Sequence, residues 1–296
     1  MKTDFLKSLL SSSGLSGFET PVTELIKEKW TSLADELDQS ALGSLHGLKR
    51  GSGQEPRPSV MIATHMDAIG LIVSGISGEF LHVANLGGID IRVLPGQAVT
   101  VHSEGSDLPG IIAQPPAHLL PEGEAKGAVA LKYLLVDVGF SARQVTRKIK
   151  IGDTISFATE PTEMSGGLLA GHSLDNRASV AALTLCLEEL ESRDHIWDIW
   201  AAATVQEEIG HMGASTSAFQ ICPDLAIAVD VTFAKGPGAS NWETFDLGSG
   251  PTIGLGAVNH PFLHEKFKEL AEKLEMPCGI EILPGTSGTD GDDLQI

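Results

Sequence analysis

Glu207 and Glu208 stand side by side at the end of an apolar run, Ile199 to Val205, within the stretch IWAAATVQEEIGHMG. The run is bounded by Asp198 and by a glycine-containing turn, and so reads as a buried strand. Neighbouring residues at a strand end point to different sides. One carboxylate can then ligate a metal while the next reaches a water held on it, the two tasks of a hydrolytic metal centre. Two more apolar runs end in comparable groups: Ser59 to Thr64 runs into His65-Met66-Asp67, and Leu225 to Val229 runs into Asp230. Asp175 opens a helical pattern, where a carboxylate suits the positive end of the dipole. Each group also has a plainer reading. Glu207 and Glu208 read as solvated loop charges, His65 as a core histidine, Asp175 as a helix cap and Asp230 as a turn residue. Their shared placement favours a site, because open α/β sheets build sites at the carboxyl ends of their strands. One histidine with several carboxylates suits Zn²⁺, Co²⁺ or Mn²⁺. A bridging carboxylate among them would serve two ions roughly 3.5–4 Å apart. Asp67, two residues after His65 and on the same side of an extended chain, is placed to orient the imidazole.

The elements that position these residues follow an α/β pattern. The N-terminal MKTDFLKSLLSSSG reads as a short amphipathic helix. Thr20-Pro21 starts a second helix, with Val22, Leu25, Ile26, Trp30 and Leu33 at helical spacing. Ser44 to Gly53 reads as a charged turn. From about Leu71 to Thr159, short β-like runs alternate with Gly and Pro, which suggests a mostly β module inserted in the α/β domain. Val145 to Lys150 within it reads as a basic, solvated turn. The α/β pattern resumes with a helix from about Asn176, its buried face marked by Val180, Leu183, Leu187 and Leu190. Ser215 to Phe219 reads as a short helix, Gly248 to Gly256 as a glycine-rich loop, and Ile280 to Leu283 as a strand. His260-Pro261 opens a helix with Leu263, Phe267, Leu270 and Leu274 on one face. Competing motifs are weaker. Gly171-His172-Ser173-Leu174-Asp175 lacks the final glycine of a nucleophile elbow, and the glycines after Gly248 do not form a dinucleotide fingerprint.

Composition narrows the function. The 296 residues suffice for one large α/β domain with an insertion, and 42% hydrophobic content supports a sizeable core. Asp plus Glu number 39 against 20 Lys plus Arg, a net charge of −19. That balance argues against nucleic acid and against an anionic membrane surface as partners. No stretch approaches the roughly 18 consecutive apolar residues of a membrane span. Cys186, Cys222 and Cys278 are isolated, as reduced thiols in a cytoplasmic protein would be. Lys235 and Arg177 are cations open to an acidic substrate side chain or to surface ion pairs.

In THMDAIGLIV, the LPGQAV to PPAHLL stretch, VDVGF, IGDTISF, HSLDNRAS, VQEEIGHMGA, AVDVT and SGTD, taken in order, the sequence resembles the M42 family of metallo-aminopeptidases, which includes the tetrahedral and glutamyl aminopeptidase-like enzymes. The resemblance spans nearly the whole chain. It implies a mixed-sheet metallopeptidase domain with helices on both faces, over 1–70 and 160–296, and a β-rich dimerisation domain over 71–159. It implies that His65 and Asp230 bind one metal, that Asp175 bridges two, that Glu208 binds the second, and that Glu207 is the general base, with Asp67 also in the catalytic set. The implied cofactors are two divalent ions, Zn or Co, with Mn tolerated. The implied activity is removal of N-terminal residues from short peptides by a metal-activated water. The implied assembly is a homo-oligomer, a dimer that builds tetrahedral dodecamers. The family carries a further His ligand for the second metal on a later element, whereas here Gly288-Thr289-Asp290 is followed by six residues, and His260 and His264 precede it. The expectation is a C-terminally truncated chain with an impaired second site and poor activity. Two other readings stand beside it: a related two-metal hydrolase of other acyl-amino substrates, and a catalytically silent scaffold.

Overall fold

The structure, a computed structural model, describes residues 3–121, 127–239 and 243–295. Two units separate within the chain, one made of residues 1–29, 66–177 and 208–210, the other of 30–65, 178–207 and 211–296. In chain order the elements are α1 (Asp4–Ser11), α2 (Thr20–Trp30), β1 (Glu36–Gln39), β2 (Leu45–Lys49) and β3 (Ser59–His65). There follow β4 (Gly70–Ser77), β5 (Phe80–Leu86), β6 (Ala98–Ser103), β7 (Ser106–Ala113), β8 (Leu135–Asp137), α3 (Ala142–Lys148) and β9 (Thr154–Phe157). Then come β10 (Thr162–Met164), β11 (Leu168–Ala170), α4 (Leu174–Leu190), β12 (Asp198–Thr204), α5 (Met212–Ile221) and β13 (Leu225–Ala228). The last are β14 (Thr252–Gly256), α6 (Pro261–Lys273) and β15 (Gly279–Leu283). None of the described helices is long and apolar enough to cross a membrane.

In the first unit, strands β4 to β9 close into a barrel in the order β4-β5-β8-β7-β6-β9. The period-2 pattern explains it: Val99 and Val101 of β6 point into a core with Leu71, Val73, Val136 and Ile155, while Thr100 and His102 face outward. The β4–β5 and β6–β7 hairpins turn at Gly78 and Gly105, whose φ values of 63° and 88° favour glycine. Outside the barrel wall, His102 bridges strands, with Nδ1 2.8 Å from Asp107 Oδ1 and Nε2 2.8 Å from Ser156 Oγ. The basic stretch read as a turn is the helix α3. A capping box between Ser141 and Gln144 starts it, and Val145 and Ile149 bury into the barrel core.

Arg177 is not a surface cation. Its side chain is fully buried in the first unit and donates to four carbonyls: Leu9 at 2.5 Å, Ser12 at 2.6 Å, and Gly14 and Met66 at 3.2 Å. Burial lowers its pKa to about 10, against the pull of the Asp67 carboxylate, so it stays charged at neutral pH. It ties the N-terminal segment to the chain just after β3. Arg177→Met is predicted to strand these carbonyls and to destabilise the protein by more than about 3 kcal/mol in denaturant titration. A midpoint shift within error would refute that role. Lys235, by contrast, is exposed and 3.0 Å from Asp246.

The second unit is built on a five-stranded sheet, β1-β2-β12-β3-β13. Strand β2 lies where the sequence suggested a turn. His46 and Gly47 disguise it; the sheet uses them, because His46 Nε2 meets Ser217 Oγ at 2.8 Å and Gly47 makes room for the Trp30 ring. Helices cover both faces. Ala218 of α5 packs on Met61, Ala63 and Ala202, while Trp30, bonded to Thr184 of α4 at 2.9 Å, lies against Gly47 on the other side. Strands β12, β3 and β13 are mutually parallel, with Thr204 opposite His65 and Ala228 opposite Ala63. Their starts are pinned: Asp198 accepts from Gly51 N–H at 2.8 Å and from Arg57 Nε at 2.7 Å, and Asp224 accepts from Ser59 N–H at 2.7 Å. Their ends all lie at one edge.

Strands β14 and β15 form a separate parallel pair. Part of the glycine-rich loop is thus a strand, and Gly256 approaches Leu283 so closely that an added Cβ would sit 1.7 Å from its carbonyl oxygen. Helix α6 begins at Pro261 as expected, but Phe267, Leu270 and Leu274 are exposed, and the buried residues are His264 and Ala271.

Candidate active site

The parallel strand ends gather three of the sequence-selected residues in the second unit. His65 is the last residue of β3, Glu207 lies in a 3₁₀ turn (Glu207–Ile209) after β12, and Asp230 follows β13 by two residues. His65 Nε2 lies 3.7 Å from Glu207 Oε2 and 3.7 Å from Asp230 Oδ1, and the side chains are 1%, 8% and 13% exposed. One ligand atom from each residue falls within 4.8 Å of the other two.

The spacing fits a shared cation. At 3.7 Å these pairs exceed hydrogen-bond length. Two donors bound about 2.1 Å from one tetrahedral ion lie roughly 3.4 Å apart, which is close to that spacing. Two carboxylates held together with little water repel each other, and a divalent cation offsets the repulsion. One imidazole with carboxylates is the donor set of a borderline-hard ion.

In the first unit, Asp175 and Glu208 present carboxylate oxygens within 4.8 Å of each other. Asp175 sits in the first turn of α4, where it and Asn176 depart from helical φ/ψ, so the regular helix follows Asn176. Asp67 is fully buried, accepts from Ser16 Oγ at 2.6 Å, and accepts from the Glu208 backbone N–H at 3.2 Å. It therefore fixes the backbone of the residue after Glu207. Nearby, burial first and then the Arg177 charge lower the pKa of His172, whose ring meets Phe157 edge-on at 6.3 Å.

The turn between β12 and α5 is tightly wound. Gln206, Gly210 and His211 have φ values of 60°, 141° and 55°. The turn closes where Gly213 N–H donates to Val205 O at 3.1 Å. A Cβ on Gly213 would stand 2.2 Å from that same oxygen, so a side chain there does not fit. Several neighbours escaped the sequence reading. Asp290 accepts from Thr204 Oγ1 at 2.5 Å, and Asp293 Oδ2 lies 3.0 Å from His211 Nδ1. His211 sits four residues after Glu207 within the stretch already singled out, a spacing that could have marked it. Asp290 lies in the SGTD motif already quoted, whereas Asp293 gave no comparable signal.

Comparison with known proteins gives the family. The family model for M42 glutamyl aminopeptidase matches residues 43–296. Lysyl aminopeptidase of Pyrococcus furiosus is 34% identical, over 99% of this chain and 84% of its own length. A crystal structure of a TET aminopeptidase from a marine-sediment Thaumarchaeota archaeon superposes with a TM-score of 0.90 at 30% identity, covering 98% of this chain and 83% of that one. TET1 peptidase of Pyrococcus horikoshii, described as assembling into a tetrahedron or a large octahedral shell, superposes at 0.84 with 28% identity, covering 97% and 86%.

Proposed function

From the premise that this chain belongs to the M42 family and is a metal-dependent aminopeptidase, we propose how its residues divide the work. His65, Asp230 and Asp175 would hold one divalent ion, and Asp175 with Glu208 would hold a second. The observation that carries this is the convergence of His65, Glu207 and Asp230 at the ends of three parallel strands. Zn²⁺ or Co²⁺ suits the set, and Mn²⁺ is tolerated. When bound, such ions polarise the scissile carbonyl and lower the pKa of the attacking water. Glu207 takes the proton from that water and delivers it to the leaving amine. Asp67 orients the site through the Glu208 backbone.

The substrates are short peptides with a free N-terminus. The chain assembles as a homo-oligomer, with the barrel between residues 70 and 157 as the dimerisation module and a tetrahedral shell as the higher assembly. A cytoplasmic setting keeps the three free thiols reduced.

Elemental analysis after dialysis against Zn²⁺ or Co²⁺, beside hydrolysis of aminoacyl-anilides, tests the proposal. Both metal and anilide cleavage are expected, and Glu208→Ala should lower the metal content by about one ion per chain. Metal without peptidase activity would favour the acyl-amino hydrolase reading. Neither metal nor activity would favour a silent scaffold.

A further inference from the structure

Glu207 is approached from both sides. Its Oε2 lies 3.7 Å from His65 Nε2, and its Oε1 lies 3.4 Å from His211 Nε2. The other ring nitrogen of His211, Nδ1, lies 3.0 Å from Asp293 Oδ2. Asp293 ends a short loop that is itself fixed. Within it, the Asp292 carboxylate accepts from Ser287 N–H at 2.6 Å, from Ser287 Oγ at 2.8 Å and from Gly288 N–H at 2.8 Å. Burial opposes ionisation of Asp292, but these donors and the nearby His211 outweigh it and lower its pKa. The loop is also joined to the end of β12 by the Thr204–Asp290 hydrogen bond at 2.5 Å.

We propose that His211 is a positioning residue for Glu207, held in turn by Asp293. A free glutamate side chain samples several rotamers, and fixing it costs entropy. A base works best when its reacting oxygen is already aimed. The imidazole is rigid, and its two nitrogens sit on opposite edges of the ring. It therefore transmits the position of the Ser287–Asp293 loop to Oε1 and leaves Oε2 turned towards His65. Glu207 is 8% exposed, so little solvent is available to do this instead. The backbone agrees: His211 has φ 55°, a left-handed conformation that a glycine would adopt without strain. A side chain is kept there despite the strain.

The inference rests on Glu207 being the base, so the test carries Glu207→Gln alongside. Steady-state hydrolysis of an aminoacyl-anilide is compared for the wild type, His211→Ala, His211→Gln, Asp293→Asn and the double variant His211→Ala/Asp293→Asn, each with its metal content measured. His211→Ala should lower kcat about tenfold to a hundredfold, with KM within about twofold and metal unchanged. His211→Gln, whose amide still donates to a carboxylate, should recover most of the loss. The double variant should be no worse than His211→Ala alone, because both changes break one chain of contacts. Independently of activity, the ¹⁵N ring resonances of His211 in metal-free protein should move in both Glu207→Gln and Asp293→Asn. Wild-type kcat in His211→Ala, a loss that follows metal content, or additive losses in the double variant would each overturn the inference. An active Glu207→Gln would remove the base role itself, and the inference with it. An inactive Glu207→Gln beside an unaffected His211→Ala would remove only the role of His211.

Discussion

Glu207→Gln is expected to leave a folded, metal-loaded protein whose kcat on aminoacyl-anilides is reduced by about 10²- to 10⁴-fold. The substitution keeps the shape and the oxygen of the side chain but removes its ability to take a proton. A carboxamide still fills the space beside His65 and His211, so burial and packing change little. KM should move much less than kcat, because the lost interaction belongs to the proton transfer and not to substrate binding. Glu207 also lies within ligating distance of His65 and Asp230, so metal content has to be read in the same preparation. Full metal with near wild-type kcat would sink the base assignment. A loss of metal in proportion to activity would turn Glu207 from base into ligand.

His65→Gln is expected to weaken binding of the ion it holds by more than about a hundredfold and to abolish measurable peptidase activity with it. The His65 imidazole lies 3.7 Å from both the Glu207 and the Asp230 carboxylate. Glutamine roughly conserves the volume of a residue that is 1% exposed, which limits the damage to packing. The clean readout is the rise in melting temperature on adding Zn²⁺ or Co²⁺. A ligand at a hundred times its Kd stabilises the native state by about 2.7 kcal/mol, and that increment should shrink in the variant. An undiminished rise would show that the ion is held by other residues.

The sequence displayed the three apolar strands that lead to His65, Glu207 and Asp230 because parallel strands covered on both faces are near-continuous apolar runs. It did not display β2. Leu45 to Lys49 contains a histidine and a glycine whose fitness depends on Ser217 and Trp30, far away in the chain. Helix α3 was hidden for the opposite reason: its many basic residues are solvated, and only Val145 and the following Ile149 reveal what it covers. Arg177 shows the limit of charge counting. An arginine reads as surface unless four carbonyls are known to wait for it. His211 and Asp293 were visible as letters, but their meeting depends on how the loop from Ser287 folds back.

The turn pinned by Gly213 and Val205 bears on how this enzyme can vary over evolutionary time. Residues 206–212 are enclosed between two fixed points, so the turn has no slack. Replacements on its open side, at Ile209 for instance, leave its length intact and are easily absorbed. An inserted or deleted residue has nowhere to go: it would rotate one glutamate into the place of the other and exchange their duties. Change in this stretch is thus tolerated at an exposed side chain such as Ile209 and resisted in length. Families that diverge in substrate would be expected to change their other loops first.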